Sequence, residues 1–117
     1  MPLKKQTFLY QITFAHLLYN TQLNTMKNLT QAEWSASIPE ENTVILDVRT
    51  PNEWAEGIIE NAVLINILEP QSFMGEIEKL DKSKNYYVYC RSGARSGQAC
   101  QVMNSIGITE ANNLIGG

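Results

Sequence analysis

The sequence predicts an α/β domain built on a central, mostly parallel sheet of about four to five short strands with helices on both faces. Three observations carry that expectation. Residues 44–48, 63–65 and 86–89 are short runs of apolar, β-branched and aromatic residues, as strands buried on both faces are. Between the runs lie segments with apolar residues at helical spacing, and strands alternating with helices at this interval make a parallel sheet. The aromatic run 86–89 then stops at Cys90 and gives way to small and basic residues. Chemistry in an open α/β sheet gathers at such carboxyl ends of strands.

Residues 1–25 read as an N-terminal extension and residues 26–117 as the compact domain, which starts naturally at Met26-Lys27-Asn28-Leu29. In the extension Phe8, Ile12, Ala15 and Tyr19 have helical spacing, an apolar face for packing on the domain or on a protein partner. Gln11, Thr13 and His16 interrupt its apolar core and no small-x-small site follows Leu18, so it does not read as a signal peptide. It is also far too short to span a bilayer.

Thr30-Gln31-Ala32-Glu33 is a capping box, with Leu29 and Trp34 placed as a hydrophobic staple, so a short helix begins here and ends by Pro39. The strand 44–48 follows. Its Asp47 is a carboxylate that a core strand tolerates only with a partner. Asp47 and Arg49 are therefore expected near the site as structural residues, pairing with each other or with nearby backbone. A place for Arg49 at the mouth of an anion site stays open.

Thr50-Pro51-Asn52-Glu53 repeats the helix-start pattern, with Thr50 as N-cap, Pro51 at the first helical position and Glu53 three residues after the cap. Capping accounts for Glu53. The helix runs to about Glu56 and closes at Gly57. Residues 63–65 form the next strand, and residues 72–80 the next helix, with Phe73, Ile77 and Leu80 on one face. Asp81-Lys82-Ser83-Lys84 is a solvated loop, residues 94–106 a helix stopped by Gly107, and residues 112–115 a final short strand.

Cys90 to Gly93 is thus a tight strand-to-helix turn. Successive backbone N–H groups there, with the positive end of the following helix, favour an anion in one concavity. A thiol in this field, with Arg91 and Arg95 close by, ionises more readily than a free cysteine of pKa about 8.5. Cys90 is accordingly the candidate nucleophile. Arg91, Ser92, Gly93, Ala94, Arg95 and Ser96 form the candidate substrate-binding turn, with the Ser92 and Ser96 hydroxyls as added donors.

Composition narrows the rest. A chain of 117 residues is one domain, and its net charge of −3 gives no basic excess for nucleic acid or an anionic membrane. Cys90 and Cys100 lie roughly 12 Å or more apart along a helix, beyond disulfide reach. Free thiols suit a reducing, cytoplasmic location. Cys100 falls on the apolar face and reads as core. One histidine and no Cys-x-x-Cys leave no metal ligand set.

Cys-Arg-Ser-Gly-Ala-Arg-Ser, with Ile45-Leu46-Asp47-Val48-Arg49 and Glu53-Trp54 upstream and Asn113-Leu114-Ile115-Gly116-Gly117 at the end, resembles the single-domain rhodanese family of sulfurtransferases. The resemblance runs from about Leu29 to the last residue. It implies a rhodanese-like three-layer sandwich and a structural role for Asp47. It also implies a two-step transfer, in which Cys90 takes a sulfane sulfur from a small anionic donor, thiosulfate or a low-molecular-weight persulfide, and passes it to a thiol or cyanide. No cofactor is expected, since the protein itself carries the sulfur.

Two departures stand out. Many family members carry Gly-His-Ile-Pro-Gly-Ala where this chain has Gly57-Ile58-Ile59-Glu60-Asn61-Ala62. The sequence also stops at Gly117, where the family usually continues into a further helix, so the expectation is either a fragment or a sheet face covered by something else, such as the N-terminal extension. Two other functions fit parts of the pattern. A non-catalytic rhodanese-like interaction module is one, although such modules often lose the cysteine. A cysteine phosphatase or arsenate reductase is the other, but cysteine phosphatases use Cys-x5-Arg, one residue longer than the Cys-x4-Arg here.

Overall fold

A computed structural model describes residues 26–37 and 41–116. Five strands, β1 (Met26–Leu29), β2 (Thr43–Asp47), β3 (Val63–Leu64), β4 (Asn85–Tyr89) and β5 (Ala111–Leu114), form one sheet in the order β1-β5-β4-β2-β3. Every neighbouring pair is parallel. Four helices connect them: α1 (Gln31–Ser37), α2 (Pro51–Trp54), α3 (Pro70–Glu78) and α4 (Ala94–Ser105). The N-terminal extension lies outside the described residues.

Side chains alternate across a strand, so β2 and β4 each feed two cores. Leu46, Val48, Tyr86, Val88 and Cys90 point to one face and pack with Phe73 and Ile77 of α3 and Ala99, Cys100 and Met103 of α4. Tyr87 and Tyr89, with Ile45 beside them, point to the other, where Trp34 of α1 meets both tyrosine rings edge-on at about 6 Å. Helices therefore cover both faces.

The helix starts follow their local chemistry. Thr30 Oγ1 accepts from the Glu33 N–H at 3.2 Å while Glu33 accepts from the Thr30 N–H at 2.9 Å, and Leu29 packs beside Trp34. Thr50 and Glu53 form the same reciprocal box before α2. α3 begins earlier than the apolar spacing suggests, at Pro70, whose missing N–H and fixed φ suit the first helical position. β5 is displaced by one residue and carries two buried asparagines. β1 is an addition: nothing local in Met-Lys-Asn-Leu marks a strand, which exists here by pairing with β5.

Gly57 opens the segment that departs from the resembled family. Asn61 takes a φ of +68° where that pattern has its second glycine, and asparagine is a side chain that tolerates the left-handed region. The Arg49 guanidinium donates to Gly57 O at 2.7 Å and the Ile59 N–H donates to the Tyr89 hydroxyl at 3.0 Å. The turn is thus tied to the sheet without the missing residues.

Candidate active site

β2 and β4 run side by side in register, Asp47 beside Tyr89, so the connections leaving them lie together at one edge of the sheet. Cys90 is the first residue past β4. Three residues on, Gly93 takes a φ of +102° and becomes the N-cap of α4, with no side chain to cap it. An added Cβ there would sit 2.9 Å from Leu114 O and 3.1 Å from Gly116 N, so only glycine fits.

The uncapped helix start finds its acceptor in the cysteine. The Gly93 N–H donates to Cys90 Sγ at 3.0 Å and the Ser96 N–H at 3.4 Å, with the Ser96 hydroxyl 3.3 Å from the sulfur. Two carbonyls of the turn are occupied elsewhere. Ser92 O accepts from the Gly116 N–H, and Gly93 O accepts from the Gly97 N–H and from Asn113 Nδ2. What faces the sulfur is therefore a set of donors, which stabilises a thiolate. Cys90 is only 3% exposed, and burial opposes ionisation; the Ser96 hydroxyl and the N–H groups of Ser96, Gly93 and Ser92 overcome it and hold the thiol below its ordinary range.

The other turn residues divide by task. Ser92 serves mainly through its backbone, since its Oγ accepts from the Ala94 N–H at 3.4 Å instead of facing the sulfur. Ala94 is exposed at the first helical position, and Arg91 is exposed with no ion pair among the described residues. Arg95, expected in the substrate-binding turn, is engaged by a carboxylate. It forms a two-pronged ion pair with Glu53, at 2.8 and 2.9 Å. That pair holds the Glu53 carboxyl well below the usual carboxylate range, helped by the Thr50 N–H.

Glu53 therefore has a second duty that sequence reading missed. Its capping role was legible locally, whereas its contact with Arg95 spans 42 residues and exists because parallel β2 and β4 set the starts of α2 and α4 side by side. Asn113 was also missed as part of the site: buried in β5, its Oδ1 lies 2.5 Å from the Ser96 hydroxyl.

Asp47 is fully buried and accepts from Arg49 Nε at 2.9 Å, from Nη2 at 2.7 Å and from the Arg49 N–H at 3.0 Å. Burial alone would push its carboxyl up, but the Arg49 and Tyr89 bonds leave it below its ordinary value. Arg49 stacks over the Tyr89 ring at 5.4 Å. Both its charge and its reach are spent on the β2 exit and the Gly57 turn. Cys100 is fully buried, and desolvation pushes its thiol up to about 12. No group of three or more His, Cys, Asp or Glu among the described residues is placed to hold a metal ion.

Comparison with known proteins agrees with this architecture. Residues 30–117 match the family described as rhodanese-like domain. The chain is 39% identical over 77 residues to a protein named sulfurtransferase from Allochromatium vinosum, covering 66% of this chain and 69% of that one. It is 31% identical to the tRNA uridine(34) hydroxylase of Chlamydia abortus, covering 80% of this chain but only 30% of that longer protein. Among solved structures, the human single-domain sulfurtransferase TSTD1 superposes with a TM-score of 0.60 at 26% identity, covering 76% of this chain and 88% of that one.

Proposed function

The chain belongs to the rhodanese-like family, and on that premise we propose that it is a sulfurtransferase that carries a sulfane sulfur as a Cys90 persulfide. The carrying observation is the pair of backbone N–H groups, from Gly93 and Ser96, on Cys90 Sγ, with the Ser92 and Gly93 carbonyls occupied elsewhere. In the first step the Cys90 thiolate attacks the outer sulfur of the donor. With thiosulfate, a new S–S bond forms, the old one breaks and sulfite departs with the bonding pair. With an organic persulfide RSSH, the leaving group is the thiolate RS⁻. In the second step cyanide or a thiolate acceptor attacks the outer sulfur, and the electron pair returns to Cys90, which is again a thiolate.

The turn suits this chemistry because amides hold negative charge on either sulfur without reorganising, the kind of preorganised donor whose loss commonly costs about 10²-fold in rate. Arg91, exposed at the rim, draws anions in. With Arg95 held by Glu53 and Arg49 by Asp47, neither of these guanidinium groups is free to clamp a phosphoryl group, which speaks against a phosphatase.

The test is the intact mass of the full chain after exposure to thiosulfate or to cysteine persulfide. A gain of one sulfur atom, reversed by a reductant and absent in Cys90→Ser, is expected. Thiocyanate production by Cys90→Ser equal to that of the unmodified chain would rule the scheme out.

A further inference from the structure

The Ser96 hydroxyl has one proton and two groups asking for it. Asn113 Oδ1 lies 2.5 Å away and Cys90 Sγ 3.3 Å away. The orientation of the Asn113 amide is not in question, because its Nδ2 faces two acceptors, Asn28 Oδ1 at 2.9 Å and the Gly93 carbonyl at 3.2 Å. The carbonyl is an acceptor only, so the nitrogen must be on that side and the amide oxygen must face Ser96. While Cys90 is protonated, the hydroxyl proton therefore sits on the contact to Asn113, and a Ser96 lone pair is turned toward the sulfur. That arrangement accepts an S–H and repels a thiolate.

We propose that Asn113 is a positioning residue which sets the acidity of Cys90 by competing with the sulfur for the Ser96 proton. The inference rests on Cys90 being the nucleophile of the proposed transfer. When the thiol ionises, the hydroxyl turns to the sulfur and gives up Asn113. Once a second sulfur is bonded, the negative charge moves to the terminal atom, Sγ becomes neutral, and the hydroxyl returns to Asn113. No proton is consumed by this rotation. It lets one side chain follow the charge through both steps while the amide donors stay fixed.

The surrounding charges do not offer another route to the same effect. Facing the thiol from α4 is Arg95, already balanced by Glu53 from α2. At the same edge Asp47 and Arg49 from β2 balance each other beside Tyr89 of β4. α3 contributes Phe73 and Ile77 to this side, and β5 and β1 contribute the neutral Asn113 and Asn28. Changing Asn113 leaves both ion pairs untouched.

The experiment is the pH dependence of Cys90 alkylation by iodoacetamide, followed by site-resolved mass, in the full chain and in Asn113→Leu, Ser96→Ala and the double variant. Freeing the hydroxyl in Asn113→Leu is expected to lower the midpoint by about half to one pH unit, the scale of one net hydrogen bond. Ser96→Ala is expected to raise it, and Asn113→Leu is expected to add no shift once Ser96 is gone. The smaller, β-branched and apolar Asn113→Val serves the same purpose if leucine prevents folding. An equal shift in both backgrounds would mean that Asn113 acts through the Gly93 carbonyl and would overturn the proposal, as would a midpoint that stays or rises in Asn113→Leu alone. Alkylation needs no sulfur donor, so this outcome is read separately from whether Cys90 carries sulfur.

Discussion

Cys90 lies in the turn before α4 and Cys100 in the middle of that helix, and both are buried, at 3% and 0% exposure. Their chemistry is nonetheless opposite. Burial acts on both thiols in the same direction, against the charged form, and at Cys100 nothing answers it. At Cys90 three backbone N–H groups and a hydroxyl do, and the thiol falls below its ordinary range. The difference in acidity comes from where the N–H groups of the first helical turn point, not from access to water. The helices draw the same contrast. α1 and α2 cap themselves with Thr–Glu boxes, whereas α4 leaves its first turn open and takes the sulfur as its acceptor.

The most direct way to break this comparison is to alkylate both thiols in the native chain. A group with a pKa of about 12 is ionised to about one part in 10⁵ at pH 7, so Cys100 is expected to react at least about 10³-fold more slowly than Cys90 until the protein unfolds. Comparable rates in site-resolved mass spectra would erase the distinction. Next in size is Gly93→Ala, which forces a side chain into a φ of +102° and against Leu114 O. It is expected to cost about 1–3 kcal/mol in thermal unfolding and to slow persulfide formation by about 10²-fold as the amides leave the sulfur.

A milder change sharpens the electrostatic side. Glu53→Gln keeps an acceptor for the capping box but releases Arg95, adding a free positive charge at the cradle. Thiosulfate, a dianion, is expected to gain several-fold in kcat/KM, more than cysteine persulfide does, with a steeper loss on adding salt. Equal gains for both donors, or none, would show that the pair has no bearing on donor charge.

The smallest effect is on stability against pH, where the two thiols pull in opposite directions. Cys90 has a depressed pKa in the folded state, so its contribution is present above the unfolded value of about 8.5 and is lost as pH falls through the folded one. Cys100 has a raised pKa, so its contribution is complete below about 8.5 and fades as pH climbs toward about 12. Denaturant midpoints taken across that range are expected to decline less steeply at alkaline pH in Cys100→Ala than in the unmodified chain.

Much of the fold was legible because its signals are local. The capping boxes at Thr30 and Thr50, the apolar runs of β2 and β4 and the Gly93 turn each declare themselves within a few residues. Boundaries moved where a single residue outweighed the pattern, as Pro70 did at the start of α3. Asn61 is the converse case: it stands where the family pattern has a glycine, and its side chain tolerates the same backbone region.

Apart from β1, the order of strands and helices, the position of Cys90 at a strand's end and the turn of N–H groups about it were determined by the sequence alone, since neighbouring residues suffice to produce them. Three features were decided only by tertiary structure: the pairing of β1 with β5, the Glu53–Arg95 ion pair and the Ser96–Asn113–Asn28 chain behind the sulfur. Their partners stand 42, 17 and 85 residues apart for Arg95, Ser96 and Asn113 respectively. No local propensity brings such groups together. The parallel register of β1, β5, β4 and β2 does so, by lining up the carboxyl ends of strands that are distant in the chain.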